Sequence, residues 1–223
     1  PPQEILLKFE QAKELTLAGE DEKTIDLVNE IEQDYIHSLV GYGDQITGIF
    51  VRLLLTRAVS YLDLGRNRLA AWDYAAARQL DPEAVDELSE RLGGRMDELP
   101  ALDWKDHCAS PGCGMVREIG SEGVIPPRKI HAPLPPFPQL ERLLGPQIPM
   151  RRPPITMVVQ VILDDQGRPH RPKVFMTQGG PVFVANTLSV LRNWRFEPAR
   201  LPDGSPVSVT YNLSVNYVLK KDQ

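Results

Sequence analysis

From Val207 to Leu219 every second residue is apolar or aromatic: Val207, Val209, Tyr211, Leu213, Val215, Tyr217 and Leu219. A strict period of two gathers these side chains on one face of a β-strand, whereas a helix would scatter them around its axis. The chain must therefore build a sheet and cover one of its faces. A second alternating run, Thr156 to Leu163, is apolar on both faces, and Asp164-Asp165-Gln166-Gly167 after it is a hairpin signal. The strand that resumes over His170–Met176 carries Pro169 and Pro172, which mark it as an edge or irregular strand. Val184, Leu188, Leu191 and Trp194 then recur at helical spacing, and Pro202-Asp203-Gly204 turns the chain into the final strand. The predicted order is strand, strand, helix, strand (ββαβ).

The first half has a different period. Leu7, Ala12 and Leu15, then Ile25, Val28, Ile31 and Tyr35, recur at three and four residues, as amphipathic helices do. Gly19 separates a first and a second helix, and Gly41-Tyr42-Gly43-Asp44 is expected to separate the second from a third, with Asp44 as its cap. The third helix is expected over Gln45–Leu64 and a fourth over Arg68–Leu80, with a further helix over Pro82–Leu92. Small Ala58, aromatic Tyr61, turn residue Gly65, then Ala70, Tyr74, Ala77 and Pro82 stand in the register of a tetratricopeptide repeat, which this pair of helices resembles. Ala12, Leu15 and Gly19 repeat the pattern weakly. Two such units fall short of the roughly three that a free-standing solenoid needs, so the helices are expected to form a cap on a neighbour.

Between Gly93 and Pro154 periodicity fades and Gly and Pro accumulate, which reads as a linker. Its proline tract, Pro126-Pro127 and Pro133–Pro138, is biased to extended backbone and reads either as a docking peptide or, preferably, as a strap across the next domain. Cys108 and Cys113 flank a tight turn through Ser110, Pro111 and Gly112. In an oxidising compartment they would form a disulfide; in a reducing one they would be free thiols or half of a metal site. The disulfide is preferred, because zinc needs four ligands and only His107 joins the cysteines locally. No metal site and no cofactor are expected.

At the C-terminal end the motifs are specific. Pro135-Pro136-Phe137-Pro138 is followed by a strand ending in Asp-x-x-Gly (Asp164–Gly167), a helix finishing in Trp194-Arg195-Phe196-Glu197-Pro198-Ala199, and Asp203-Gly204-Ser205-Pro206-Val207 before the last strand. In this order they resemble the C-terminal domain of TonB-type energy transducers. The resemblance implies a periplasmic module that binds an extended peptide of an outer-membrane or other envelope protein by strand addition, in a transport system driven by a proton-powered motor complex. The candidate pairing edge is then Val207, Val209, Tyr211, Leu213, Val215 and Tyr217. Two features depart from that family: a helical cap replaces its membrane helix and long spacer, and Arg151-Arg152 with three prolines replaces its short approach to the first strand. The alternative is a periplasmic scaffold or envelope-assembly subunit that uses both modules for protein contacts.

The expected architecture is α+β in two domains: helical over 1–99, a Cys- and Pro-rich linker over 100–134, and a TonB-like domain with a small antiparallel sheet over 135–223. A net charge of −5 gives no electrostatic footprint for nucleic acid. No run is apolar enough to span a bilayer, since Arg52, Arg57 and Asp63 interrupt the longest candidate; membrane anchoring would need a segment upstream of Pro1. No triad, phosphate loop or zinc-protease helix is present in the sequence, so an enzyme is not expected.

Overall fold

The structure is a computed structural model that describes residues 2–35, 39–92, 94–107, 110, 113–135 and 155–217. It is an α+β chain, with helices first and a sheet after them. Helices α1 (Pro2–Leu17), α2 (Asp21–Tyr35), α3 (Leu39–Asp63), α4 (Asn67–Leu80) and α5 (Pro82–Leu92) lead into two 3₁₀ segments, Gly94–Ala101 and Trp104–His107. Strands β1 (Val116–Glu118), β2 (Arg128–His131), β3 (Ile155–Leu163) and β4 (Pro169–Thr177) precede helix α6 (Pro181–Leu191). Strands β5 (Arg195–Glu197), β6 (Ala199–Arg200) and β7 (Pro206–Tyr217) complete the chain.

The helical reading holds in outline. Gly19 and Gly65 adopt positive φ where they end α1 and α3, and the side chain of Asp81 accepts from the Ala84 amide to cap α5 beside Pro82. Ala58, Ala70 and Ala77 are fully buried, so α3 and α4 approach closely. One expectation fails: Gly41–Asp44 is no turn, because α3 already starts at Leu39 and runs through it. A glycine inside a helix costs about 1 kcal/mol against alanine. Burial of Phe50, Leu53, Leu54 and Tyr61 on the same helix outweighs that cost, so the helix propagates back through both glycines.

The sheet is larger than expected, and it is mixed. Its order is β1-β7-β3-β4, with β6 also paired to β7, and β2 and β5 forming a separate two-stranded ribbon. β3 pairs antiparallel with β4 and, from Ile155↔Tyr217 to Leu163↔Val209, with β7. β1 is parallel to β7. The 100–134 stretch expected as linker thus supplies two strands. Both are three or four residues long, too short for alternation to reveal them. The odd-numbered side chains Met157, Val159 and Leu163 face Val215, Leu213 and Val209 across the ladder, and these, with Val161 and Tyr217, are buried in one core with Val182, Phe183 and Leu188 of α6. The even-numbered face is mixed: beside Val158 and Ile162, Thr156 donates to Asn216 (2.9 Å) and Gln160 to Asn212 (3.3 Å).

Candidate functional site: the sheet edges

A sheet takes up a peptide as an added strand only through unpaired edge backbone, so each edge must be accounted for. β4 forms one edge, and α4 lies against it. The side-chain oxygen of Gln79 accepts from the Val174 amide (2.9 Å), and Arg68 donates to the Pro169 carbonyl (3.3 Å). Positions 170–174 also carry Pro172 and Arg171 at φ 46, which interrupt a regular edge, as the prolines predicted.

β7 has two sides. Both the amide and the carbonyl of Thr156 bond to Gln178, so Thr156 turns its backbone away from β7. The β3–β7 ladder has no register shift, so Asn216 opposite Thr156 is a non-hydrogen-bonded pair, and the next pair, Met157↔Val215, is hydrogen-bonded. By alternation the backbones of Val209, Tyr211, Leu213, Val215 and Tyr217 point at β3. Val207 lies beyond the end of β3, pairs with Ala199 of β6, and shares their parity. Ser208 and Thr210 therefore turn to the opposite side, where β1 pairs with them. Asn212, Ser214 and Asn216 point to that side too, and among the described residues no strand meets them.

This corrects the expected pairing residues. Val207, Val209, Tyr211, Leu213, Val215 and Tyr217 have their backbones committed to β6 and β3 and, apart from half-buried Tyr211, their side chains in the core. The Tyr217 hydroxyl is 2.7 Å from that of Thr187, and burial raises its pKa. The open edge is carried instead by Asn212, Ser214 and Asn216. Alternation revealed the side-chain faces but not on which side the neighbouring strand would lie.

The motif residues hold this sheet in shape. Gly167 has φ +74, and a Cβ there would stand 1.8 Å from the Phe196 carbonyl oxygen; its own carbonyl accepts from the Phe196 amide at 3.0 Å. Asp-x-x-Gly therefore ends in glycine because β5 docks on that turn. Asp164 is buried, and its carboxylate accepts from His170, the Arg168 side chain and the Arg168 amide, each at 2.8 Å. Burial alone would raise its pKa; the hydrogen bonds from His170 and Arg168 overcome that and hold it at about 2. Burial lowers the pKa of His170 despite the neighbouring Asp164. Trp194 donates from Nε1 to the Pro133 carbonyl (2.9 Å), under the Lys129 ammonium, and Phe196 meets Tyr211 edge-on. As far as Pro135 the proline tract is thus a strap; Pro136–Pro138 lie outside the described residues.

Helices and sheet share a buried charged seam. Arg57, fully buried, donates to both carboxylate oxygens of Asp73 (2.6 and 3.0 Å), to Glu32 (2.7 Å) and to Asn29 (2.8 Å). Arg192, at the end of α6, joins Glu32 at 3.0 Å. Burial opposes the charge on Arg57, but Asp73 and Glu32 hold its pKa well above the ordinary value. Trp72 of α4 donates to the Leu188 carbonyl of α6 (3.1 Å). Sequence reasoning missed this seam, whose one visible sign was a charged residue, Arg57, within an apolar helix.

Cys113 is fully buried, with its sulfur 3.2 Å from the Ser208 hydroxyl; Cys108 lies outside the described residues. Among the described residues no group of His, Cys, Asp and Glu could hold a metal ion, and no helix is long and apolar enough to cross a membrane.

Comparison with known proteins finds a likeness over the C-terminal part of the chain. Residues 156–219 match the model of the Gram-negative bacterial TonB protein C-terminal. The match starts in β3 and takes in β4, α6, β5, β6 and β7, so the part of the chain that carries the open edge is TonB-like. No curated protein and no solved structure matches the chain.

Proposed function

We propose that this protein is a periplasmic binding module that takes up an extended segment of an envelope or outer-membrane protein as an added strand beside Asn212–Asn216. The observation that carries the reading is the seven-residue stretch 211–217, whose outward amides and carbonyls meet no strand among the described residues, while α4 bonds to the opposite edge at Val174 and Pro169. Strand addition supplies affinity through backbone hydrogen bonds, and the side chains flanking the edge supply selectivity. Here those are Asn212, Ser214 and Asn216 on the exposed face. The family match supports a protein partner, and the resemblance extends this to force transfer from a proton-driven motor complex. The fused helical cap favours a second reading, an envelope scaffold in which both modules hold partners. A Cys108–Cys113 disulfide fits an oxidising periplasm and is supported by the absence of a free cysteine among the described residues.

The backbone directions set the experiment. A proline at Ser214 deletes an amide that faces the open edge, which an edge strand tolerates; a proline at Val215 deletes one bonded to β3 and damages the fold. Capture from envelope extract with wild-type chain and with Ser214→Pro, both checked by thermal melting, should show partner lost and fold kept. Undiminished capture by folded Ser214→Pro removes strand addition at this edge.

A further inference from the structure

The helical cap contains a groove that the sheet's function does not use. It lies between α1, α3 and α5, has a volume of about 470 Å³, and falls in the size range of small-molecule sites. Phe9, Leu55 and Met96 are buried in its wall, and half-buried Val59 and Leu88 complete it. Leu17 at its mouth is 80% exposed. Its polar groups are few: Glu10 and Lys13, paired with each other at 2.7 Å, Arg52, and the hydroxyls of Thr16 and Thr56. Thr16 is already bonded to the Ala12 carbonyl. No carboxylate is paired with Arg52 among the described residues, so the charged lining of the groove, Glu10, Lys13 and Arg52, sums to one positive charge.

We propose that this groove binds a long-chain monocarboxylate, with its alkyl chain along the wall and its carboxylate at Arg52. Charge and polarity together select this occupant. The spare guanidinium asks for a single anionic group and can hold a carboxylate with two parallel hydrogen bonds. A peptide laid along Phe9, Leu55, Val59, Leu88 and Met96 would bury amides and carbonyls against side chains that offer them no partner, and each unpaired group would cost free energy. An alkyl chain carries no such groups and gains from the apolar area it covers.

Titration of the full chain with tetradecanoate, kept below its aggregation concentration, tests the site by calorimetry and by the rise in melting temperature. Wild type should bind at one site. Arg52 is exposed on its helix, so Arg52→Glu keeps the fold; it should weaken tetradecanoate by about tenfold and leave 1-tetradecanol unchanged. Thr56→Trp fills the groove and should abolish binding of both. The assignment is overturned if wild type shows no saturable binding, if Arg52→Glu weakens acid and alcohol alike or neither, or if a folded Thr56→Trp chain still binds. It is also overturned if an apolar peptide ending in a carboxylate saturates the groove and tetradecanoate does not.

Discussion

The two long edges of this sheet begin from the same backbone chemistry and end in opposite states. β4 gives its Val174 amide to Gln79 and its Pro169 carbonyl to Arg68, so α4 takes up part of that edge. β7 receives β1 only as far as Thr210, and the chain then leaves at Ile119, so the amides and carbonyls of Asn212, Ser214 and Asn216 continue unpaired by any described strand. An exposed edge is an aggregation hazard that proteins ordinarily cover. Here the helical domain is spent on the edge of a proline-broken strand, while the long, regular strand stays open. The contrast teaches that the cap does more than add a domain: it occupies the first half of β4, while the regular stretch of β7 beyond β1 is met by no strand among the described residues.

The largest expected effect breaks the seam that holds the cap in place. Arg57→Leu would strand Glu32 and Asp73 in the interior with Arg192 as their remaining cation, and removing one partner of such a buried network costs roughly 3–5 kcal/mol. Urea unfolding should show this loss. Amide exchange at Val174 and its neighbours should accelerate ahead of exchange in β3 if α4 is what seals the β4 edge.

Acid gives the next largest effect. Asp164 is shifted from 3.8 to about 2 in the folded chain, so its contribution is fully present above the unfolded value and is lost as pH falls through about 2; it amounts to on the order of 2 kcal/mol. His170 acts in the same direction from a higher pH. Its folded pKa lies below the unfolded one, so the unfolded chain binds the proton first and stability declines as pH drops below about 6.5. In Asp164→Asn the acid limb of a stability-against-pH curve should become shallower below about pH 4 by the Asp164 share, and the part carried by Glu32, whose pKa is also lowered in the seam with Arg57 and Arg192, should remain.

Gln79→Ala sharpens the comparison with the smallest perturbation. It uncaps one edge amide and should cost about 1 kcal/mol. The β7 edge should keep its partner affinity, since the two edges are separated by β3. A partner that instead weakens in Gln79→Ala would place the binding surface on β4.

Much of this was legible beforehand. Period two in β3 and β7, helical spacing in α1 to α6, and glycine at the φ-positive turns Gly19, Gly65, Gly167 and Gly204 are local properties, set by side-chain direction and backbone sterics, and the structure carries them. The motif around Trp194 and Phe196 and the Asp-x-x-Gly turn likewise identified the TonB-like module that the family match covers. The turn expected at Gly41–Asp44 failed because a local breaker yielded to the packing of a long helix.

What the sequence by itself determined, then, is which face of each strand is buried and where the chain turns. Only the tertiary structure decided which side of β7 is covered. Side-chain face and backbone direction alternate together along a strand, so the hydrophobic pattern that selected Val207 to Tyr217 also selected the residues facing β3 and β6, once those strands took their places. Which neighbour lies on which side depends on contacts distant in sequence, such as Gln79 with Val174, Arg57 with Glu32, and β1 with Ser208, and no local pattern encodes them.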